Sequence, residues 1–316
     1  MSINDNDLVW HAWLEHLDMN KLKVMVLKSL VKYLSNLKFY DKRGVCEGCQ
    51  YGELPPTLES LENLIDLVLN NNSFTGSLPL VMGNLNNLEN LYLFDNMNTG
   101  RIPVEIGKLQ RLSAIYLYNN QMSRSIPIEL TNCTSLTAID FFSNHFSGSI
   151  PETIGKLKNL VVLQHRQNDL SGLIPASLGY CRSLQSLALA DNKLTGSLPP
   201  TFRLLSELST ITLYNNSFEG PQPASLYLLK NLKTINFSHN RFSGAIFPLT
   251  GLNSLSAFDL TNNSFSGPIS SELAMSRNLS HLRLPRNRLT GNIPSEFGKL
   301  RELNCLDLSF SNSQEN

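Results

Sequence analysis

The run Leu136-Thr-Ala-Ile139-Asp140-Phe141-Phe142-Ser-Asn144-His-Phe146-Ser-Gly148-Ser-Ile150-Pro151 contains every position of a frame that returns along the chain. Its asparagine recurs every 24 residues at Asn72, Asn96, Asn120, Asn144, Asn168, Asn192, Asn216 and Asn240, then after one deletion at Asn263 and Asn287. Leu stands eight residues before each asparagine, and Leu, Ile or Phe stands five and usually three before. Gly usually follows at four, with Leu or Ile and then Pro at six and seven.

A leucine-rich frame of this period specifies a stacked solenoid rather than a globular domain. In Leu67-Val68-Leu69 or Ile115-Tyr116-Leu117 apolar residues alternate with variable ones, which predicts a short strand with every second side chain turned inward. One coil cannot bury that row alone; stacking aligns the strands into a parallel sheet at roughly 4.8 Å spacing and encloses a continuous core. The inward asparagine then satisfies backbone groups that a buried turn would leave orphaned. Gly and Pro punctuate the return path. The expected fold is a leucine-rich-repeat solenoid of about eleven coils, with short parallel strands, an irregular or 3-10 convex side and a curved right-handed superhelical course.

Residues 51–316 carry the repeat and residues 1–50 do not. Lys21 to Phe39 reads either as a basic amphipathic helix, with Leu27, Leu30, Leu34 and Leu37 on one side, or as a worn repeat. The worn repeat is favoured, because a terminal coil must cap the core and is therefore atypical. Cys46-Glu-Gly-Cys49 has redox or half-zinc spacing, but no second ligand pair follows. A local disulfide between Cys46 and Cys49, or two free thiols, is expected. Cys133 and Cys181 take slots filled elsewhere by Leu85, Leu109 and Leu157, so they read as small core fillers.

The formal net charge is zero, which gives no nucleic-acid footprint. No apolar run reaches the roughly 18 to 20 residues of a membrane helix, and the first twenty residues do not read as a secretory signal. No catalytic constellation, metal site or cofactor motif is found. Gly107-Lys-Leu109, Gly155-Lys-Leu157 and Gly298-Lys-Leu300 lack the remaining elements of a phosphate loop and read as solvent-facing turns. His11 and His16 do not have metalloprotease spacing. His165 occupies an inward strand slot and reads as a core histidine.

Function is expected on the outward strand positions. The column four before each asparagine reads Val68, Tyr92, Tyr116, Asp140, Gln164, Ala188, Thr212, Asn236, Asp259, Arg283; the column two before reads Asn70, Phe94, Tyr118, Phe142, Arg166, Ala190, Tyr214, Ser238, Thr261, Pro285. Tyr92, Phe94, Tyr116, Tyr118 and Phe142 therefore cluster on successive coils with Asp140, Gln164 and Arg166 beside them and Tyr214 further along. Exposed aromatics rimmed by polar groups suit an extended peptide crossing the strands. Cross-strand ring contacts also stabilise a sheet by roughly 0.2 to 1 kcal/mol each, which is the competing reading.

The return Phe146-Ser-Gly148-Ser-Ile150-Pro151, repeated as Leu289-Thr-Gly291-Asn-Ile293-Pro294, resembles the plant-specific class of leucine-rich repeat. Ile139-Asp-Phe-Phe-Ser-Asn144, Leu213-Tyr-Asn-Asn216 and Phe258-Asp-Leu-Thr-Asn-Asn263 are similar to ectodomains of the GASSHO group of plant receptor kinases. The resemblance implies a plasma-membrane receptor whose extracellular solenoid displays its concave face to a tyrosine-sulfated peptide and recruits a short co-receptor kinase. It implies no catalysis by the solenoid itself, the kinase being a separate part of such receptors. Arg166 is then the nearest group for a sulfate. His281, Arg283 and Arg286 stand where related receptors clamp a peptide carboxylate with two arginines, the histidine being a departure.

The pattern lapses at Leu306-Asp-Leu308-Ser-Phe-Ser311, and the sequence shows no signal, span or kinase, so the expectation is a fragment of such an ectodomain. Asn71, Asn132, Asn215, Asn236, Asn262 and Asn278 begin possible glycosylation sequons, about as many as the composition yields by chance. A polygalacturonase-inhibitor-like defence protein and an intracellular scaffold are the alternative readings.

Overall fold

The computed structural model describes residues 52–54, 56–222, 226, 228–246 and 252–309. The readings of residues 1–50, including the Cys46 and Cys49 pair, lie outside the described residues.

Eleven three-residue strands form one parallel sheet in chain order: Asp66–Val68, Asn90–Tyr92, Ala114–Tyr116, Ala138–Asp140, Val162–Gln164, Ser186–Ala188, Thr210–Thr212, Thr234–Asn236, Ala257–Asp259, His281–Arg283 and Cys305–Asp307. Register follows the asparagine period, so Tyr92 lies beside Tyr116 and Tyr116 beside Asp140. Leu67, Leu91, Ile115, Ile139, Leu163, Leu187, Ile211, Ile235, Phe258 and Leu282 point inward and are at most 3% exposed. Leu54 and Leu58 join the same core, so the coil before Asn72 is part of the stack.

The asparagines form a ladder. Asn120 donates through Nδ2 to Leu117 O at 3.0 Å and to Leu93 O, one coil back, at 2.9 Å, while its Oδ1 accepts from Asn98 N at 2.9 Å. Asn96 makes the same set, and so do Asn144, Asn168, Asn192, Asn216, Asn240, Asn263 and Asn287. Asn72 bonds the carbonyls of Leu69 and Asn70 in its own coil. Both ends of each amide are therefore used to tie one coil to the coil before it. A second line of polar ties, which the sequence reading missed, runs near the convex side. Asn87 donates to Glu62 O at 2.8 Å and Asn231 to Ser206 O at 2.9 Å, with Ser135 bonding Gln110 O at 2.7 Å in the same role.

The return path differs from a plain sequence of bends. Thr99–Gly100, Gln121–Ser125, His145–Gly148, Asp169–Gly172, Lys193–Gly196, Ser217–Pro221, Arg241–Gly244, Ser264–Pro268 and Arg288–Thr290 make a second, nine-stranded parallel sheet. Its alternation is short and interrupted by a glycine with φ near +75°, as at Gly148 (+77°), which disguises it as a turn in sequence. Prolines 79, 103, 127, 175 and 199 then hold extended backbone before one-turn 3-10 helices on the convex side. Here the expectation of solvent-facing turns at Gly107 and Gly155 is corrected. Both glycines are buried, and a Cβ on Gly107 would meet Glu129 O at 2.5 Å; only the neighbouring lysines face solvent.

Candidate functional site

The strand face is built from three columns rather than two. Alternate residues of a strand share a side, so the position six before each asparagine joins the two already named. Asn90 donates to Asp66 at 2.6 Å, and Tyr92 OH donates to Asn90 Oδ1 at 3.2 Å. The signal for this column was present in the period-two pattern.

The parallel register brings the aromatics into face-to-face stacks. Tyr92 and Tyr116 have ring centroids 4.8 Å apart at 14°, and Phe94 and Tyr118 are 4.3 Å apart at 12°. The rings are half-buried rather than exposed, because each covers a face of its neighbour. Burial, with Asp95 and Asp140 nearby, raises the Tyr118 phenol above its ordinary value, and burial likewise raises Tyr92. These hydroxyls stay neutral hydrogen-bonding groups.

Asp140 accepts from Phe142 N at 3.0 Å and from Gln164 Nε2 at 2.9 Å. Burial nevertheless pushes its carboxyl upward, the two hydrogen bonds offsetting part of that effect. On the next coil the Arg166 guanidinium lies 4.8 Å from the centroid of Phe142 and 5.9 Å from that of Tyr214. Ala190, fully buried between Arg166 and Tyr214, is the small residue that lets the two approach across an intervening coil. Asp191 lies 3.8 Å from Arg166 Nε, beyond hydrogen-bond distance, and Nε is buried without a hydrogen-bond partner. The cation is thus flanked by rings and ion-paired to Asp191, with its side chain still 38% exposed.

His165 lies directly beneath this patch. It is fully buried, stacks on Phe141 at 5.0 Å, and its Nδ1 is 2.9 Å from Gln164 O. Asn98 is a second polar residue in a core slot, one that the sequence reading passed over. Its Nδ2 reaches Asn120 Oδ1 at 3.1 Å, and its Oδ1 has no partner.

Tyr92, Phe94, Tyr116, Tyr118, Asp140, Phe142, Gln164, Arg166 and Tyr214 therefore share one continuous surface. His281, Arg283 and Arg286 lie on the coil of Asn287, three coils beyond Tyr214, on the order of 14 Å at the spacing of stacked strands. Arg283 is placed between Asp259 and Asp307 by register, so its charge is opposed from both sides. His281 is exposed and within 2.9 Å of Ser280 Oγ. Cys133 and Cys181 are buried core fillers, with thiols pushed up by burial to about 12 and about 11. Of the sequon asparagines, Asn71, Asn132, Asn215, Asn262 and Asn278 are exposed, whereas Asn236 is half-buried and accepts from Ser238. No group of metal-ligating side chains and no helix able to cross a membrane occurs among the described residues.

A family model described as Leucine Rich Repeat matches residues 87–109, 135–157, 183–205, 231–251 and 278–300. Among curated proteins, none matches. The chain is similar to the crystal structure of the leucine-rich-repeat ectodomain of the plant membrane receptor kinase GASSHO1/SCHENGEN3 from Arabidopsis thaliana, in complex with CASPARIAN STRIP INTEGRITY FACTOR 2. That likeness is at 50% identity and TM-score 0.82, covering 83% of this chain and 32% of that one. It is similar to the plant peptide hormone receptor RGFR1 in complex with RGF2 at 34% identity and TM-score 0.80, covering 82% of this chain and 42% of that one. A TDR receptor follows at 32% identity and TM-score 0.79, covering 82% and 45% respectively. This chain thus spans less than half the length of each of these relatives. With its ladder, its second sheet and these likenesses, the chain belongs to the leucine-rich-repeat proteins, of the plant receptor-kinase ectodomain type.

Proposed function

We propose that the strand face from Tyr92 to Tyr214 binds an extended peptide. The observation that carries this reading is the arrangement on consecutive coils of two stacked ring pairs followed by Arg166, a cation fixed between aromatic faces with its side chain 38% exposed. Aromatic faces supply apolar contact at low entropy cost, and a preorganised guanidinium supplies an oriented anchor for an oxyanion. The receptors it resembles are solved with peptides, which supports the same reading. A co-receptor kinase, an extracellular setting and glycosylation of the exposed sequons extend it by family resemblance.

Charge sharpens the expected ligand. Asp66, Asp95, Asp140 and Asp191 lie along this part of the face, where Arg166 is the single cation and Asp191 is 3.8 Å from it. An anionic group such as a sulfate is favoured only over Arg166, and the remainder of the ligand should be neutral or basic. A terminal carboxylate held at the distal end would rely on Arg286 as well as Arg283, whose charge Asp259 and Asp307 oppose.

The test uses the CASPARIAN STRIP INTEGRITY FACTOR 2 peptide as probe in calorimetric titration. The double substitution Tyr116→Ala and Phe142→Ala should weaken binding at least 100-fold while lowering stability by about 1 to 2 kcal/mol, the loss of cross-strand contacts alone. Unaltered affinity with a large loss of stability would assign the rings to sheet packing and defeat the proposal, as would failure of the native chain to bind.

A further inference from the structure

Beside the nine-stranded sheet, the position five after each ladder asparagine reads Ser77, Arg101, Ser125, Ser149, Leu173 and Ser197. The preceding position is a glycine row, Gly76, Gly100, Gly148, Gly172 and Gly196, with φ from +72° to +77°. Arg124 interrupts that row and keeps the same left-handed backbone at φ +74°. A side chain in this left-handed conformation is strained, its Cβ crowding the following carbonyl.

Arg124 also stands against a like charge. At Gly100, Gly148 and Gly172 an added Cβ would lie 3.0, 3.6 and 3.8 Å from the Cβ of Ser77, Ser125 and Ser149, one coil back. The same repeat geometry sets the Arg124 side chain against Arg101. Both arginines are exposed, and among the described residues neither forms an ion pair; the pairs there join His145 to Asp169, Arg166 to Asp191 and Lys193 to Asp169. The Arg124 backbone pairs with Phe146 in the nine-stranded sheet, as a glycine there would, so the two side chains are the part of the doublet that no ion pair in the stack uses.

We propose that Arg101 and Arg124 form a second docking surface, separate from the strand face, for a protein partner presenting two adjacent carboxylates and an apolar side chain. Three features select that partner. A free small anion gains little from exposed guanidiniums on an open edge. A polyanionic chain would need cations repeated along its path, whereas this column continues into Ser125, Ser149 and then Leu173, which is 60% exposed. Leu173 lies three coils from Arg101, roughly 14 Å, which is the reach of about four residues of extended chain. The glycines on either side of Arg124 leave room for a partner's backbone to lie close.

The experiment follows fluorescence anisotropy of a labelled, end-capped Glu-Glu-Gly-Ser-Gly-Leu peptide with the full chain at low ionic strength. The native chain should bind saturably, and Arg101→Gln with Arg124→Gln should weaken binding at least tenfold. Leu173→Ser should weaken it several-fold. The Gln-Gln form of the peptide should not bind, and titration of CASPARIAN STRIP INTEGRITY FACTOR 2 onto the arginine variant should be unchanged. Absence of saturable binding by the native chain, or equal binding by the arginine variant, overturns the proposal. So does displacement by dextran sulfate at lower charge-equivalent concentration together with indifference to Leu173→Ser, which assigns the edge to polyanions.

Discussion

The coils of Asn96 to Asn168 and those of Asn192 to Asn263 share one ladder and one register, yet they differ in how closely they follow the frame. In the second group every inward strand slot is apolar, as at Leu189, Leu213, Phe237 and Leu260, although Gln222 is buried on the return path with both amide atoms unpartnered, and the outward positions are mostly small: Ala188, Ala190, Thr212, Ser238 and Thr261. In the first group Asn98 and His165 occupy core slots and Arg124 occupies a glycine position, while the rings of Tyr92 to Phe142 and Arg166 project outward. The asparagine ladder runs unbroken through both, so the first group tolerates its departures because its backbone is fixed independently of them. Departures that weaken the stack and coincide with its most distinctive surface are what a binding region superimposed on a regular scaffold should show.

The largest expected effect belongs to His165. Complete burial lowers its pKa to about 4 from 6.5, the hydrogen bond to Gln164 O opposing that shift in part. As pH falls, the unfolded chain takes up the proton near 6.5 while the native chain resists until about 4, so this contribution to stability is intact above pH 6.5 and declines through that window. About 3 kcal/mol is lost by the bottom of the window. His165→Leu should remove that component, leaving a shallower fall in melting temperature by circular dichroism between pH 6.5 and 4 than the native chain shows. Leu189→His, the same slot in the regular group, should add such a component. Parallel pH profiles for the native chain and His165→Leu would erase this distinction between the groups.

Asn98 is expected to have a smaller effect, with the opposite change in stability at neutral pH. It fills a slot that holds Leu170, Leu194 and Phe218 in other coils, and its buried Oδ1 has no partner. Asn98→Leu removes an unsatisfied acceptor and should stabilise by about 1 to 2 kcal/mol, seen as a higher urea midpoint with an unchanged slope. Leu194→Asn should destabilise, since even with Asn216 Oδ1 in the place of Asn120 Oδ1 it buries an unsatisfied acceptor and removes apolar packing.

The stack was legible because its determinants are local and repeat in phase: Leu136, Ile139, Phe141 and Asn144 each specify their own burial, and register follows from spacing alone. The aromatic columns were legible for the same reason. The nine-stranded sheet was not, since its alternation spans two to five residues and Gly148 or Gly172 occupies one of them. That the rings are half-buried was hidden as well, because it depends on contact between coils, as in Tyr92 on Tyr116. The columns placed Arg166 beside the aromatics, but its approach to Tyr214 and Asp191 across the small Ala190 depends on contact between coils.

Arg124→Gly should produce the smallest change and the cleanest one. The native backbone there already has the φ of its glycine counterparts, so the substitution relieves roughly 1 to 2 kcal/mol of left-handed strain while the added freedom of glycine in the unfolded chain cancels about half of that. A net gain of about 0.5 to 1 kcal/mol in the urea midpoint is expected, accompanied by weaker binding of the Glu-Glu peptide. Gly148→Arg provides the reciprocal case. A Cβ there meets Ser125 Cβ at 3.6 Å, an ordinary contact, so its cost is almost entirely backbone and should mirror the gain. If Arg124→Gly instead destabilises the chain, the arginine is part of the packing of its coil. The irregular coils would then differ from the regular ones in how they are held together, and not in what they present to a partner.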